Sequence, residues 1–383
     1  MRAETGTPHR PVNEGAQDDR TGFSVPAPRM PIPPSDPNPF ASRAHAAVHS
    51  WLARFAICQS PASQRNLRRA RITDTTALAY PDAGPDDLVR LAQWLYWTFI
   101  MDDDFDDGPD GRDPARCAGA LASLVRVLDG EAGVSPATRA FADVWRRMLA
   151  DRSPAWCKEF RKDTEEWFWT YYEDAVDRAA DRYPPLDAYR YRRARGVGAH
   201  MFLTLAELGA GLDLPEELRH LPALQDLKRA AAEYTGLNND LWSVAKDRSA
   251  GVFHNAVVLL ERHEGHSPRD AADRVADMLA ECAGSMLTAV RELPAQLDAA
   301  RVTGPARTDV LNCAVAYQKF VRGCFDYYHR ADRYTRPEPP ASVSSPLTPV
   351  HSLFGPGSEA SARAARDRRR LPVSGDAGTR SPR

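Results

Sequence analysis

Through most of the chain, apolar residues recur three and four positions apart, and Pro or Gly punctuates the gaps, which is the period of helices that turn one face inward. Strand-like alternation with paired turn signals is missing. The pattern predicts helices over 40–57, 86–106, 114–128, 136–151, 155–181, 186–210, 222–249, 253–263, 268–292 and 305–333. No linker is visible among them, so the expectation is an all-α, single domain over residues 37–335. The two flanks read differently. Residues 1–36 are polar and Pro-rich, residues 336–383 are basic and aperiodic, and neither can bury enough apolar surface to offset chain entropy. Both are expected to be disordered tails.

The helix expected at 86–106 breaks the ordinary pattern. Its apolar stripe runs through Leu88, Leu91 or Ala92, Leu95 and Phe99, and the next steps of three and four fall on Asp102 and Asp106. Those carboxylates continue the buried face, within the run Asp102-Asp103-Asp104-Phe105-Asp106-Asp107. Five carboxylates in six positions repel one another, so keeping them together calls for a cation. Asp102 and Asp106 stand one helical turn apart, about 6 Å, and can reach one set of hard cations through oxygen. A calcium loop is the competing geometry, because Asp102, Asp104 and Asp106 take its positions 1, 3 and 5. It fails where Asp107 replaces the required Gly and Asp113 the bidentate Glu.

A second polar face lies on the helix 222–249. Leu227, Ala231, Tyr234, Leu237, Leu241 and Val244 set its apolar stripe, while Asn239, Ser243 and Asp247 fall at i, i+4 and i+8 on another face. All three carry side-chain oxygen, and Lys246 stands beside them as a point charge for phosphate. Upstream, Arg190-Tyr191-Arg192-Arg193-Ala194-Arg195-Gly196-Val197-Gly198 opens an apolar helix with two glycines that cost about 1 kcal/mol each against Ala. That points to a helix break with arginines placed to grip phosphate. The aromatics of 155–181, from Trp156 to Tyr172, read as core. Arg333 and Tyr334 close the last helix, where the dipole favours a cation.

Composition narrows the function classes. With 43% hydrophobic and 27% charged residues and a net charge of -2, the chain gives no reason to expect nucleic-acid binding. The six cysteines form no C-x-x-C pair, which fits a reducing cytoplasm. The apolar run from Leu91 to Met101 is shorter than the ~18 to 20 residues of a transmembrane segment, and residues 1–36 contain no apolar signal region.

Together these residues resemble the bacterial class I terpene synthases, over roughly Pro31 to Arg336. Asp102-Asp103-Asp104-Phe105-Asp106 is similar to the family's D-D-x-x-D motif. Asn239-Asp240-Leu241-Trp242-Ser243-Val244-Ala245-Lys246-Asp247 is similar to its N-D-x-x-S-x-x-x-E motif, with Asp247 in place of Glu. Arg333-Tyr334 resembles its C-terminal Arg-Tyr pair, and Met30-Pro31-Ile32-Pro33-Pro34 its Pro-rich strap. The resemblance implies a class I terpenoid synthase helical barrel around a central cavity. There Asp102, Asp106, Asn239, Ser243 and Asp247 would bind a cluster of three Mg²⁺, with Asp103 as a supporting metal-site partner and Asp104 and Asp107 largely solvated. Arg193, 46 positions before Asn239, matches the diphosphate-sensing arginine, with Arg192 as the alternative. Lys246, Arg333 and Tyr334 would also hold diphosphate.

Val197 or Gly196 would aim a backbone carbonyl at the nascent cation, and Phe99, Trp242 and Tyr327 would offer aromatic faces. The implied reaction is Mg²⁺-dependent ionisation and cyclisation of a linear isoprenyl diphosphate, with farnesyl diphosphate favoured and geranylgeranyl diphosphate as the alternative. A chain-elongating prenyltransferase, which carries two D-D-x-x-D motifs, and a non-enzymatic acidic helical protein are the rivals. Analogy suggests a homodimer. Tyr327 and Cys324 stand where many members have Trp and Asn.

Overall fold

The computed structural model describes residues 17–18, 23–108 and 110–331. Apart from one antiparallel pair of two-residue strands, Gln17–Asp18 (β1) with Phe23–Ser24 (β2), the described regular structure is helical. In chain order the helices are α1 (Ala41–Arg54), α2 (Pro61–Ala70), α3 (Ile72–Ala79), α4 (Pro85–Asp107), α5 (Pro114–Leu128), α6 (Pro136–Leu149) and α7 (Pro154–Ala179). They continue as α8 (Leu186–Gly196), α9 (Ala199–Gly209), α10 (Glu216–Arg219), α11 (Pro222–Ala250), α12 (Ala256–Glu264), α13 (Pro268–Ala299) and α14 (Gly304–Tyr328). Many begin with the same device. Ser60, Asp113, Ser135, Ser153 and Ser267 each accept a first-turn amide with their side chain and are followed by Pro, whose missing N–H costs nothing at that position.

One apolar cluster runs from Ile32 to Val321 through most of these helices. Three close approaches let it pack. Gly323 on α14 lies so near the Leu78 and Ala79 backbone that a Cβ there would stand 2.4 Å from Leu78, and Gly236 on α11 leaves room for Arg193. Gly198 combines a φ of +71° with crowding by Phe202 and Met201, so it is the residue at which α8 and α9 can part.

The structure departs from the sequence pattern at several places. The segment 57–86 holds α2 and α3. The first has too few apolar positions to show a stripe, and the second, Ile-Thr-Asp-Thr-Thr-Ala-Leu-Ala, has β-branched residues that burial overrides. Helix 186–210 is two helices. Helix α13 continues through Pro294 to Ala299, because Leu293 and Leu297 are buried and Gln296 accepts the Ala223 amide at 2.9 Å. The N-terminal tail ends earlier than residue 36: Ile32 is buried, its carbonyl accepts from Arg322 at 2.8 Å, and Val25 and Met30 pack on the core. Residues 336–383 lie outside the described residues. Among the described residues, no helix is long and apolar enough to cross a membrane.

Candidate active site

Helices α3, α4, α7, α8, α9, α11 and α14 surround a cavity of about 1310 Å³ of atom-free space, counting its open mouth. Asp102 and Asp106 of α4 line one wall, and Asn239, Ser243 and Asp247 of α11 line another. The two motifs, 137 residues apart in sequence, therefore meet across one space. Lys246 stands between the walls, its Nζ 3.9 Å from both Asp103 and Asp106.

Each wall is held by neighbours. The Tyr171 hydroxyl donates to Asp102 at 2.7 Å, and burial followed by the Asp102 charge pushes that phenol well above its usual range. Ser243 Oγ donates to Asp247 Oδ2 at 2.6 Å, and Asn255 Nδ2, from the cap of α12, donates to the same oxygen at 2.9 Å. Asn239 Nδ2 donates to the Tyr328 hydroxyl at 2.7 Å, while its Oδ1 accepts from Arg193. Beneath this layer lies Asp240, fully buried, which accepts from Arg193 Nε at 2.8 Å and from the Ala256 amide at 2.9 Å. The Tyr189 hydroxyl is 2.8 Å from both Asp240 Oδ2 and the His254 carbonyl and can donate to one at a time. Burial pushes the Asp240 carboxyl up to about 6, although Arg193 and the amide favour its charged form.

Arg193 lines the cavity, whereas Arg192 is not among its liners and pairs instead with Asp177 at 2.7 Å and Asp174 at 3.3 Å. The break after α8 puts Gly196 and Val197 on the cavity wall, and among the described residues no hydrogen-bond donor reaches either carbonyl. Phe99 and Tyr327 also line the cavity, the latter donating its hydroxyl to the Ala70 carbonyl at 2.8 Å.

Three expectations need correction or lie beyond view. Trp242 is not on the cavity wall: it sits about 100° around α11 from Ser243, and its ring stacks on Tyr328 at 6.3 Å. Asp104 is fully buried rather than solvated, because the short 3₁₀ turn Asp110–Arg112 folds back over the end of α4. Arg333 and Tyr334 lie outside the described residues.

Other liners went unread in the sequence. Trp167, Thr170, Tyr171, Asp174 and Arg178 form one stripe of α7, and Tyr80, Phe202 and Phe320 add aromatic wall. The α7 stripe was visible as i, i+3, i+4, i+7 and i+11, but its aromatics alone look like core. Asp174, Asp177 and His254 bring ligand atoms within 4.8 Å of one another, a grouping that sequence separation hides. Arg182 at 2.5 Å and Arg192 already neutralise Asp177, whose ionisation burial opposes but His254 and the two arginines hold well below the usual carboxylate range, so the group is an internal ion network.

The residues from Gln93 to Gly284 match a family described as terpene synthase family 2, C-terminal metal binding, which covers half of the chain and both acidic motifs. The chain belongs to that family. It is a class I terpene synthase, a terpene-cyclising lyase. It is 28% identical over 336 residues to the (2Z,6E)-hedycaryol synthase of Kitasatospora setae, covering 87% of this chain and 99% of that protein. It is 28% identical over 326 residues to a (-)-beta-caryophyllene synthase of Saccharothrix espanaensis that cyclises (2E,6E)-farnesyl diphosphate, covering 84% of this chain and 90% of that protein. The solved hedycaryol synthase in complex with nerolidol superposes with a TM-score of 0.71 at 26% identity, over 80% of this chain and all of that one. The all-α terpenoid synthase fold is common to both.

Proposed function

We propose that this terpene synthase ionises farnesyl diphosphate and cyclises the resulting cation to a sesquiterpene hydrocarbon or alcohol, releasing diphosphate. The observation that carries the reading is the meeting of Asp102 and Asp106 with Asn239, Ser243 and Asp247 across one cavity. These donors are all hard oxygen, the set Mg²⁺ selects over softer metals. A cluster of three Mg²⁺ held by them would act as a Lewis acid on the diphosphate and neutralise charge on the leaving group.

The chain's own residues do the rest. Arg193 and Lys246 give charge-assisted donors to the diphosphate, and Asp240 and Asn239 hold the Arg193 fork toward the cavity. The free carbonyls of Gly196 and Val197 present negative dipole ends to the allylic cation. Below them the wall becomes aromatic, with Phe99, Trp167, Phe202, Phe320 and Tyr327 offering ring faces. Among the described liners, the hydroxyls of Thr98, Thr170 and Thr235 donate to carbonyls of their own helices at 2.9, 2.6 and 2.8 Å, and Tyr80 donates to the Phe202 carbonyl at 3.2 Å.

Farnesyl diphosphate is favoured because the caryophyllene synthase above is named for it. Geranylgeranyl diphosphate is the second reading. Incubation of each substrate with Mg²⁺ and identification of the extracted product distinguishes them: the larger substrate alone giving a cyclic product would replace the first reading.

A further inference from the structure

Of the basic side chains that line the cavity, Arg178 differs from Arg193 and Lys246 in having no counterpart. Arg193 is paired with Asp240 and hydrogen-bonded to Asn239, and Lys246 lies near Asp103 and Asp106. Arg178 lines the same cavity from the last turn of α7, in the stripe that also presents Thr170, Tyr171 and Asp174. Its Nε is buried without a hydrogen-bond partner, and among the described residues no carboxylate lies within ion-pair distance of its guanidinium. Asp174, one turn back on α7, is taken by Arg192 instead.

A guanidinium kept partly buried with an unsatisfied donor is costly unless an anion completes it. The position supplies a reason for its retention. Tyr171, which binds Asp102, is seven residues before Arg178 on α7, so Arg178 stands about 10 Å further along the helix axis than the contact with Asp102. Val252 and His254 line the cavity there as well. The liners carry the carboxylates Asp102, Asp106, Asp174 and Asp247 against the cations Arg178, Arg193 and Lys246, so an incoming polyanion needs every cation the wall can offer. The fork of an arginine fits two phosphate oxygens at once.

We infer that Arg178 is a further diphosphate-binding residue, reaching the substrate's phosphate oxygens from the C-terminal turn of α7. This rests on the diphosphate-ionising reading of the cavity. It places a grip on a helix where neither acidic motif nor the arginine run after Arg190 pointed. In the substrate-free protein the same side chain is held ready by the favourable field at the C-terminal end of α7.

Isothermal titration of the full chain with inorganic pyrophosphate in excess Mg²⁺ tests this without turnover. Wild type is expected to bind, and Arg178→Gln to bind about 10- to 100-fold more weakly with an unchanged circular dichroism spectrum and melting temperature, the size of a lost charged hydrogen-bond pair. Arg178→Lys, which keeps the charge and loses the fork, is expected to fall between the two, and it carries the test if Arg178→Gln does not fold. Wild-type affinity in folded Arg178→Gln or in Arg178→Lys overturns the assignment of Arg178 and leaves the cyclase reading standing. Absence of Mg²⁺-dependent pyrophosphate binding in the wild type overturns both.

Discussion

At the scale of single residues, the member of the proposed metal-binding set that departs from the family's motif is the informative one. Asp247 is one methylene shorter than the family's Glu, yet it lies on the cavity wall because Ser243 and Asn255 both donate to its Oδ2. Removing the Ser243 hydroxyl takes away both a donor oxygen and that brace. Ser243→Ala is expected to raise the Mg²⁺ concentration needed for half-maximal turnover at least tenfold, measured by metal titration of the initial rate. Asp102→Ala and Asn239→Ala, which each remove an oxygen from one wall, are expected to lower kcat by about three orders of magnitude or more with an intact circular dichroism spectrum. Wild-type product from either variant would remove that residue from the metal set. The motif residues were legible in the sequence because their spacing is helical and their chemistry repeats. Asp104 was not, because a burial that depends on a 3₁₀ turn folding back is not written in any local spacing.

At the scale of elements, α7, α9 and α11 are clamped by charges far from the chemistry. Lys228 of α11 donates to Asp163 at 2.7 Å, Glu159 at 3.1 Å and Thr204 at 3.0 Å, with all but Glu159 buried. Lys228→Met leaves Asp163 buried without its counter-charge and is expected to cost about 3 to 5 kcal/mol in urea denaturation. His200, beside this cluster on α9, is pushed down to about 4 by burial and then by Lys228, against an unfolded value of about 6.5. The unfolded chain therefore binds the extra proton between those values, so stability falls as pH drops through that window. The contribution is at most about 1.4 kcal/mol per pH unit, and His200→Asn is expected to flatten the slope of melting temperature against pH by that share. The break between α8 and α9 belongs to this scale too. Gly198→Ala is expected to cost about 1 to 2 kcal/mol in thermal unfolding, because an L side chain at positive φ would also meet Phe202 and Met201. The sequence marked the break by its two glycines but not which one sits at the left-handed position, since that depends on what packs against it. Likewise α2 and α3 were illegible: one is too polar to show a stripe, the other is helical only by burial between its neighbours.

At the scale of the whole molecule, the all-helical class, the pairing of the two motifs and the cyclase chemistry were readable before any coordinates, because helical period and motif order survive in one dimension. The cavity floor was not. Trp167, Phe202 and Phe320 come from three helices and Tyr80 from the turn after α3, and only the packing decides which aromatics face inward and which, like Trp242, face a neighbour. The contour they make sets the product ring system, so exchanging Phe202 for Leu is expected to redistribute products while leaving metal dependence unchanged, read by gas chromatography with mass spectrometry. The most direct measurement of the central claim uses the same instrument on the wild type, incubated separately with geranyl, farnesyl and geranylgeranyl diphosphate, with Mg²⁺ and with EDTA. A cyclic sesquiterpene from farnesyl diphosphate that disappears on chelation is the expected result; no terpene from any of the three, or the same yield with EDTA, would contradict it.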